Sequence, residues 1–83
     1  MFLFGAPNVQ KLSAKRDVQG LIKALGYEKD EQIRHAAALA LGQIGDPRAL
    51  EPLIAASHDS DPDVRQAAVE ALGQVRAGGP SRR

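Results

Sequence analysis

Ile33-Arg34-His35-Ala36-Ala37-Ala38-Leu39-Ala40-Leu41-Gly42-Gln43-Ile44 returns 31 residues later as Val64-Arg65-Gln66-Ala67-Ala68-Val69-Glu70-Ala71-Leu72-Gly73-Gln74-Val75, with seven of the twelve positions identical. Two of the changes, Ile33 to Val64 and Ile44 to Val75, are conservative. Both stretches place apolar residues at i, i+3, i+4, i+7, i+8 and i+11. In the first they are Ile33, Ala36, Ala37, Ala40, Leu41 and Ile44; in the second Val64, Ala67, Ala68, Ala71, Leu72 and Val75. That spacing puts one apolar stripe on one face of a helix. Alanine along the stripe lets helix axes approach closely.

Outward from this pair the match is looser but continues. Leu21-Ile22-Lys23-Ala24 lies over Pro52-Leu53-Ile54-Ala55, and Asp30 over Asp61. The repeating object is therefore a unit of about thirty residues, a period that marks stacked repeats. Val18, Leu21, Ile22 and Leu25 form the stripe of the unit's first helix in one copy; Leu50, Leu53 and Ile54 do so in the other. Helix ends are marked as well. Asp46-Pro47 and Asp61-Pro62 each set an N-cap acceptor before a proline at the first helical position, and Asp17 and Asp30 serve as the corresponding caps in the first unit. Gly45, just past Ile44, suits the left-handed residue that closes a helix. Gly42 and Gly73 fall inside helices, where glycine costs about 1 kcal/mol against alanine. Their recurrence predicts close packing of both against a neighbouring helix.

The expected helices are 17–26, 31–44, 47–57 and 62–76, preceded by a short capping helix at 8–14 with Asn8 as its cap. The expected organisation is an N-terminal segment, 1–14, then two units, 15–45 and 46–76. A flexible tail, 77–83, follows and has the composition of a linker.

Gly45-Asp46-Pro47-Arg48-Ala49-Leu50-Glu51-Pro52-Leu53-Ile54, followed by Asp61-Pro62-Asp63-Val64-Arg65-Gln66-Ala67-Ala68-Val69-Glu70-Ala71-Leu72-Gly73, resembles a HEAT repeat. More closely it is similar to the short HEAT-like repeats of phycobilisome bilin lyases. The resemblance covers residues 15–76. It is weaker in the first unit, where Gly26-Tyr27-Glu28-Lys29-Asp30-Glu31-Gln32-Ile33 lacks the proline and Arg16-Asp17 stands in place of Asp-Pro. It implies an all-α fold, an α-α superhelix (solenoid) of two antiparallel helix-pair repeats with a short N-terminal helix. It also implies the role such stacks usually have, a non-catalytic surface for binding another protein. Alternatives are a nucleic-acid-binding helical repeat and an accessory subunit of a bilin-lyase-like enzyme.

Composition narrows these classes. The chain has 83 residues, 11 basic and 10 acidic, for a formal net charge of +1. It is one small domain at most, with no general pull toward nucleic acid or an anionic membrane. There is no cysteine, so disulfides and thiolate metal sites are excluded. No apolar run approaches the roughly 18 residues a membrane span needs, and Met1-Phe2-Leu3-Phe4 lacks the flank and length of a signal peptide. The expected setting is cytoplasmic, with no cofactor.

Among candidate sites, Arg34 and Arg65 hold equivalent places at the start of each second helix. They read either as a basic ladder for phosphate or an acidic partner or as a structural ladder between repeats, bonded to turn aspartates such as Asp46 or to carbonyls of the neighbouring unit. The resemblance implies the structural role. Asp59, Asp61, Asp63 and Glu70 superficially match a calcium loop, but its sixth position, which needs glycine, is Val64. Ser57-His58-Asp59 holds the residue types of a hydrolase triad, yet neighbours in sequence cannot be arranged in series. His35 is alone, with Gln66 as its equivalent. Lys11, Lys15, Arg16 and Lys23 make the N-terminal third basic. Phe2, Leu3 and Phe4 either cap the first helix pair or dock on another molecule.

Two units are fewer than the roughly three that a stack normally needs. Apolar residues left open, Val69 among them, would then pair across a two-fold axis as a homodimer, or the chain would be part of a longer repeat array. Leu39, at the place of Glu70, is expected to be covered by the second unit, with Glu70 meeting water.

Overall fold

The computed structural model describes residues 5–78. Five α-helices run in order: α1 Val9–Ala14, α2 Val18–Leu25, α3 Glu31–Ile44, α4 Leu50–Ala56 and α5 Pro62–Arg76. Each helix except α4 starts on a side-chain cap, which satisfies backbone donors that have no intrahelical partner. Asn8 accepts the Lys11 N–H, Asp17 that of Gly20, and Asp30 that of Gln32. Asp61 accepts two, from Asp63 and Val64. Gly45 closes α3 in the left-handed conformation, φ 77°, with its N–H on the Leu41 carbonyl.

The helix expected at 47–57 is divided. Pro47–Ala49 forms a 3₁₀ turn, capped by Asp46 on the Arg48 N–H, and the α-helix proper begins at Leu50. Pro52 explains the break. It has no N–H to offer the Arg48 carbonyl four residues back, and its ring would crowd that carbonyl in a continuous α-helix. Pro52 is tolerated because it falls in the first turn of α4.

The chain between α1 and α2 turns through Arg16, which has a positive φ of 54°. The Asp17 N–H reaches the Leu12 carbonyl and the Arg16 N–H that of Ser13. This is the paired closure normally given to glycine.

The helices form an all-α solenoid-like stack of antiparallel pairs, α2 with α3 and α4 with α5, with α1 against α2 and α3. The most extensive packing is between α3 and α5. Leu21, Leu41, Leu53 and Val64 are the largest fully buried side chains. Burying one such residue contributes about 1.5–3 kcal/mol. Alanine supplies much of the rest: Ala24, Ala37, Ala38, Ala67, Ala68 and Ala71 are buried around them. The core is thin in volume and depends on short distances between axes.

The expected stripes are only half of the burial. On α3, Ala37, Ala40 and Leu41 are buried as the spacing predicts, while Ile33, Ala36 and Ile44 are partly so. Arg34, Ala38 and Gly42 lie off that stripe and are buried too. α3 therefore has a second buried face, on which α5 presses at Gly42 and the loop carrying Asp59 meets Arg34. The expectation for Leu39 is wrong: it is 41% exposed. The α5 helix settles over the row of Ala38 and Gly42, leaving Leu39 and its equivalent Glu70 both facing solvent.

Candidate functional site

Arg34 is the one charged residue in the core of the described chain, 8% exposed. Its Nε donates to Asp59 Oδ2 at 2.8 Å and its Nη2 to Asp59 Oδ1 at 3.0 Å. Its Nη1 donates to the carbonyls of Tyr27 and Glu28, each at 3.0 Å. One guanidinium thus ties the loop after α2 to the loop after α4. This fork geometry is what arginine offers and lysine does not. The guanidinium holds the Asp59 carboxyl below the usual carboxylate range, and the carboxylate in turn raises the arginine. The Asp61 N–H supplies a further donor to Asp59.

Arg65, one unit later, makes half of this set. Its Nη1 donates to the carbonyls of Asp59 and Ser60, at 2.9 and 3.2 Å. No carboxylate of a following loop meets it among the described residues, and it is exposed. Asp46, the expected partner in this ladder, is not in it. Its carboxylate takes Arg48, with Nη2 to Oδ2 at 2.9 Å, and caps the 3₁₀ turn. The correction has a geometric reason. Asp46 follows α3, at the far end of the helix from Arg34, whereas the loop carrying Asp59 lies at the same end. In the sequence Asp59 reads as a superficial calcium-loop and triad candidate and not as the partner of Arg34, to which its tie spans 25 residues.

The other candidates fall into place around this clasp. The Ser57 hydroxyl donates to the Ile54 carbonyl, and Asp59 is taken by Arg34, so Ser57, His58 and Asp59 do not act in series. Asp59 and Asp61 are likewise occupied, by Arg34 and by capping, and Val64 is fully buried in α5. No calcium loop can form without unwinding that helix. His35 is half-buried beside Glu31, Asp61 and Asp63, along a groove of about 390 Å³. Phe2, Leu3 and Phe4 lie outside the described residues, as do residues 79–83 of the expected tail; Ala77 and Gly78 form the turn after α5.

Two surfaces remain. The first is the outer face of α5. Val69 is 58% exposed, Leu72 is half-buried, and a β-carbon built on Gly73 would meet nothing within 4 Å. Their equivalents on α3 are Ala38, Leu41 and Gly42, all buried. A β-carbon on Gly42 would strike the Gln74 amide oxygen and lie 2.9 Å from both Cα and Cβ of Ala71. Close packing against a neighbour therefore holds for Gly42 and not for Gly73. The second surface is a groove of about 330 Å³ between α1 and α2, with lysines along its rim.

No helix among the described residues is long and apolar enough to cross a membrane. A family model described as HEAT repeats matches residues 18–82 of the chain. Among curated proteins no match was found.

Proposed function

Since this chain belongs to the HEAT-repeat family, we propose that it is a non-catalytic protein–protein interaction module, and that the outer face of α5 is its principal docking surface. The observation that carries the reading is the equivalence of two faces. Val69, Leu72 and Gly73 stand where Ala38, Leu41 and Gly42 stand on α3, and the α3 face already accepts a helix, α5. The α5 face is thus a second surface of a kind that binds a helix within this same molecule, and it is open. Val69, 58% exposed, is the apolar centre of that face.

The occupant under this reading is the corresponding helix of another protein, either a second copy of this chain or another member of a longer array. The setting proposed is cytoplasmic. The organisation proposed is two units, 15–45 and 46–76, behind the N-terminal segment. From the likeness to the short repeats of phycobilisome bilin lyases we carry over the helix-pair motif and not the activity. The most closely converging polar side chains, Arg34 and Asp59, are engaged with each other. A basic ladder for nucleic acid would need Arg34 and Arg65 on one open face, and Arg34 is buried.

Sedimentation of the purified chain across a concentration series tests the reading. The expected result is reversible dimerisation that Val69→Glu abolishes while helical content stays unchanged. A fully helical monomer at every concentration, with Val69→Glu indistinguishable from it, overturns self-association through this face.

A further inference from the structure

The groove between α1 and α2 is built differently from the α5 face. Pro7 and Leu12 wall it, Gly20 forms its floor, and its lining is mostly carbon. Leu12 packs over Gly20, where a β-carbon would lie 2.6 Å from Leu12 Cδ2. Lys11 on α1 and Lys15 at its C-cap stand one turn apart, and Lys23 of α2 borders the same groove. All three are exposed. The ion pairs among the described residues are Arg34–Asp59 and Arg48–Asp46, and neither involves these lysines or nearby Arg16. Asp17 also borders the groove, with its carboxylate accepting the Gly20 N–H as the cap of α2.

Among the described residues, three ammonium groups stand against the one carboxylate of Asp17 around a hollow lined mostly by carbon, so the excess positive charge and the uncovered carbon each carry a cost. One kind of ligand relieves both costs: an apolar side chain flanked by carboxylates. We propose that this groove binds a short acidic segment of a partner protein, with a leucine or phenylalanine seated on Leu12 and Pro7 and its flanking carboxylates on Lys11, Lys15 and Lys23. The inference rests on the interaction-module reading and names a second surface with its own partner chemistry.

Nucleic acid fits less well. The six residues of α1 span only about 9 Å, too short a track for more than a few phosphates. Among the described residues no aromatic side chain lines the groove for base stacking. Its volume lies at the low end of ligand pockets, suited to one or two side chains.

Fluorescence anisotropy with the full chain tests this. The probe is a labelled nine-residue peptide with a central leucine flanked by aspartates and glutamates. It is compared with the same peptide carrying serine in place of leucine, and with a single-stranded oligonucleotide of equal charge. The expected result is binding that weakens with salt and falls about tenfold in Lys11→Glu/Lys15→Glu. It should also weaken on loss of the leucine, and hold in Lys29→Glu/Arg76→Glu, which changes as much charge elsewhere. Lys11 and Lys15 are solvent-facing, so circular dichroism should be unchanged. The proposal is overturned by absence of binding, by equal loss in both double variants, or by an oligonucleotide that competes as well as the leucine peptide. A chain that ignores the peptide but still dimerises through Val69 overturns this inference alone. A chain that binds the peptide but never dimerises overturns self-association through α5 alone.

Discussion

Gly42 and Gly73 occupy the same turn of α3 and α5, inside the same Leu-Gly-Gln sequence, yet their surroundings are opposite. Ala71 and Gln74 press on the first, and nothing among the described residues comes within 4 Å of a β-carbon on the second. Arg34 and Arg65 differ in the same way. Both reach two carbonyls of the loop before their own helix, but only Arg34 meets a carboxylate, that of Asp59. The pair teaches that a repeat sets what a residue is able to do, while the next helix along determines whether it does it. Two identical residues are one structural element only where both have a neighbour.

The arginines offer the hardest test of that contrast. Arg34→Ala leaves Asp59 part-buried without its counter-ion and should cost about 3 kcal/mol in urea unfolding, a large share of the stability of so small a domain. Arg65→Ala, which releases only exposed loop carbonyls, should cost less than about 0.5 kcal/mol. Comparable losses at the two sites would break the comparison.

The glycines predict a reversal of sign. Gly42→Ala forces a β-carbon against the backbone of Ala71 and should destabilise by about 2 kcal/mol. Gly73→Ala meets no obstacle and gains helix propensity, so it should stabilise by up to about 1 kcal/mol. Thermal melts of the two variants side by side decide it, and a loss at Gly73 would mean that its face is already filled in solution.

The smallest effect is in pH. Asp59 is held below the usual carboxylate range by Arg34, so the folded chain gives up this proton more readily than the unfolded chain. The resulting stability is complete above the unfolded carboxylate value of about 4 and drains away as pH falls through the lower folded value. Asp59→Asn should lower stability at neutral pH and flatten the acid limb of the stability profile. An unchanged acid limb would show that other carboxylates carry it.

Much of the fold was legible because its causes are local. Asn8, Asp17, Asp30 and Asp61 sit within three residues of the N–H groups they cap. The stripes on α3 and α5 are patterns of one helix with itself. The start of α4 was misplaced by three residues because Pro52 acts backward on a carbonyl that the apolar spacing does not register. The candidate surfaces were less legible. Lys11, Lys15 and Lys23 were visible as charge, but the apolar hollow between them is lined by residues of both α1 and α2 and exists only once the two pack together.

By itself the sequence determined the number of α-helices and, α4 apart, the side-chain caps at their starts and their approximate limits, together with the thirty-one-residue equivalence between the two pairs. These follow from contacts within one or two turns, which the order of residues specifies. Only the tertiary structure decided that Arg34 takes Asp59 and not Asp46, that Leu39 faces solvent while Ala38 and Gly42 are buried, and that Gly73 is open. Burial is a property of two surfaces together. Residues equal in sequence become unequal as soon as a helix lies against one and not the other.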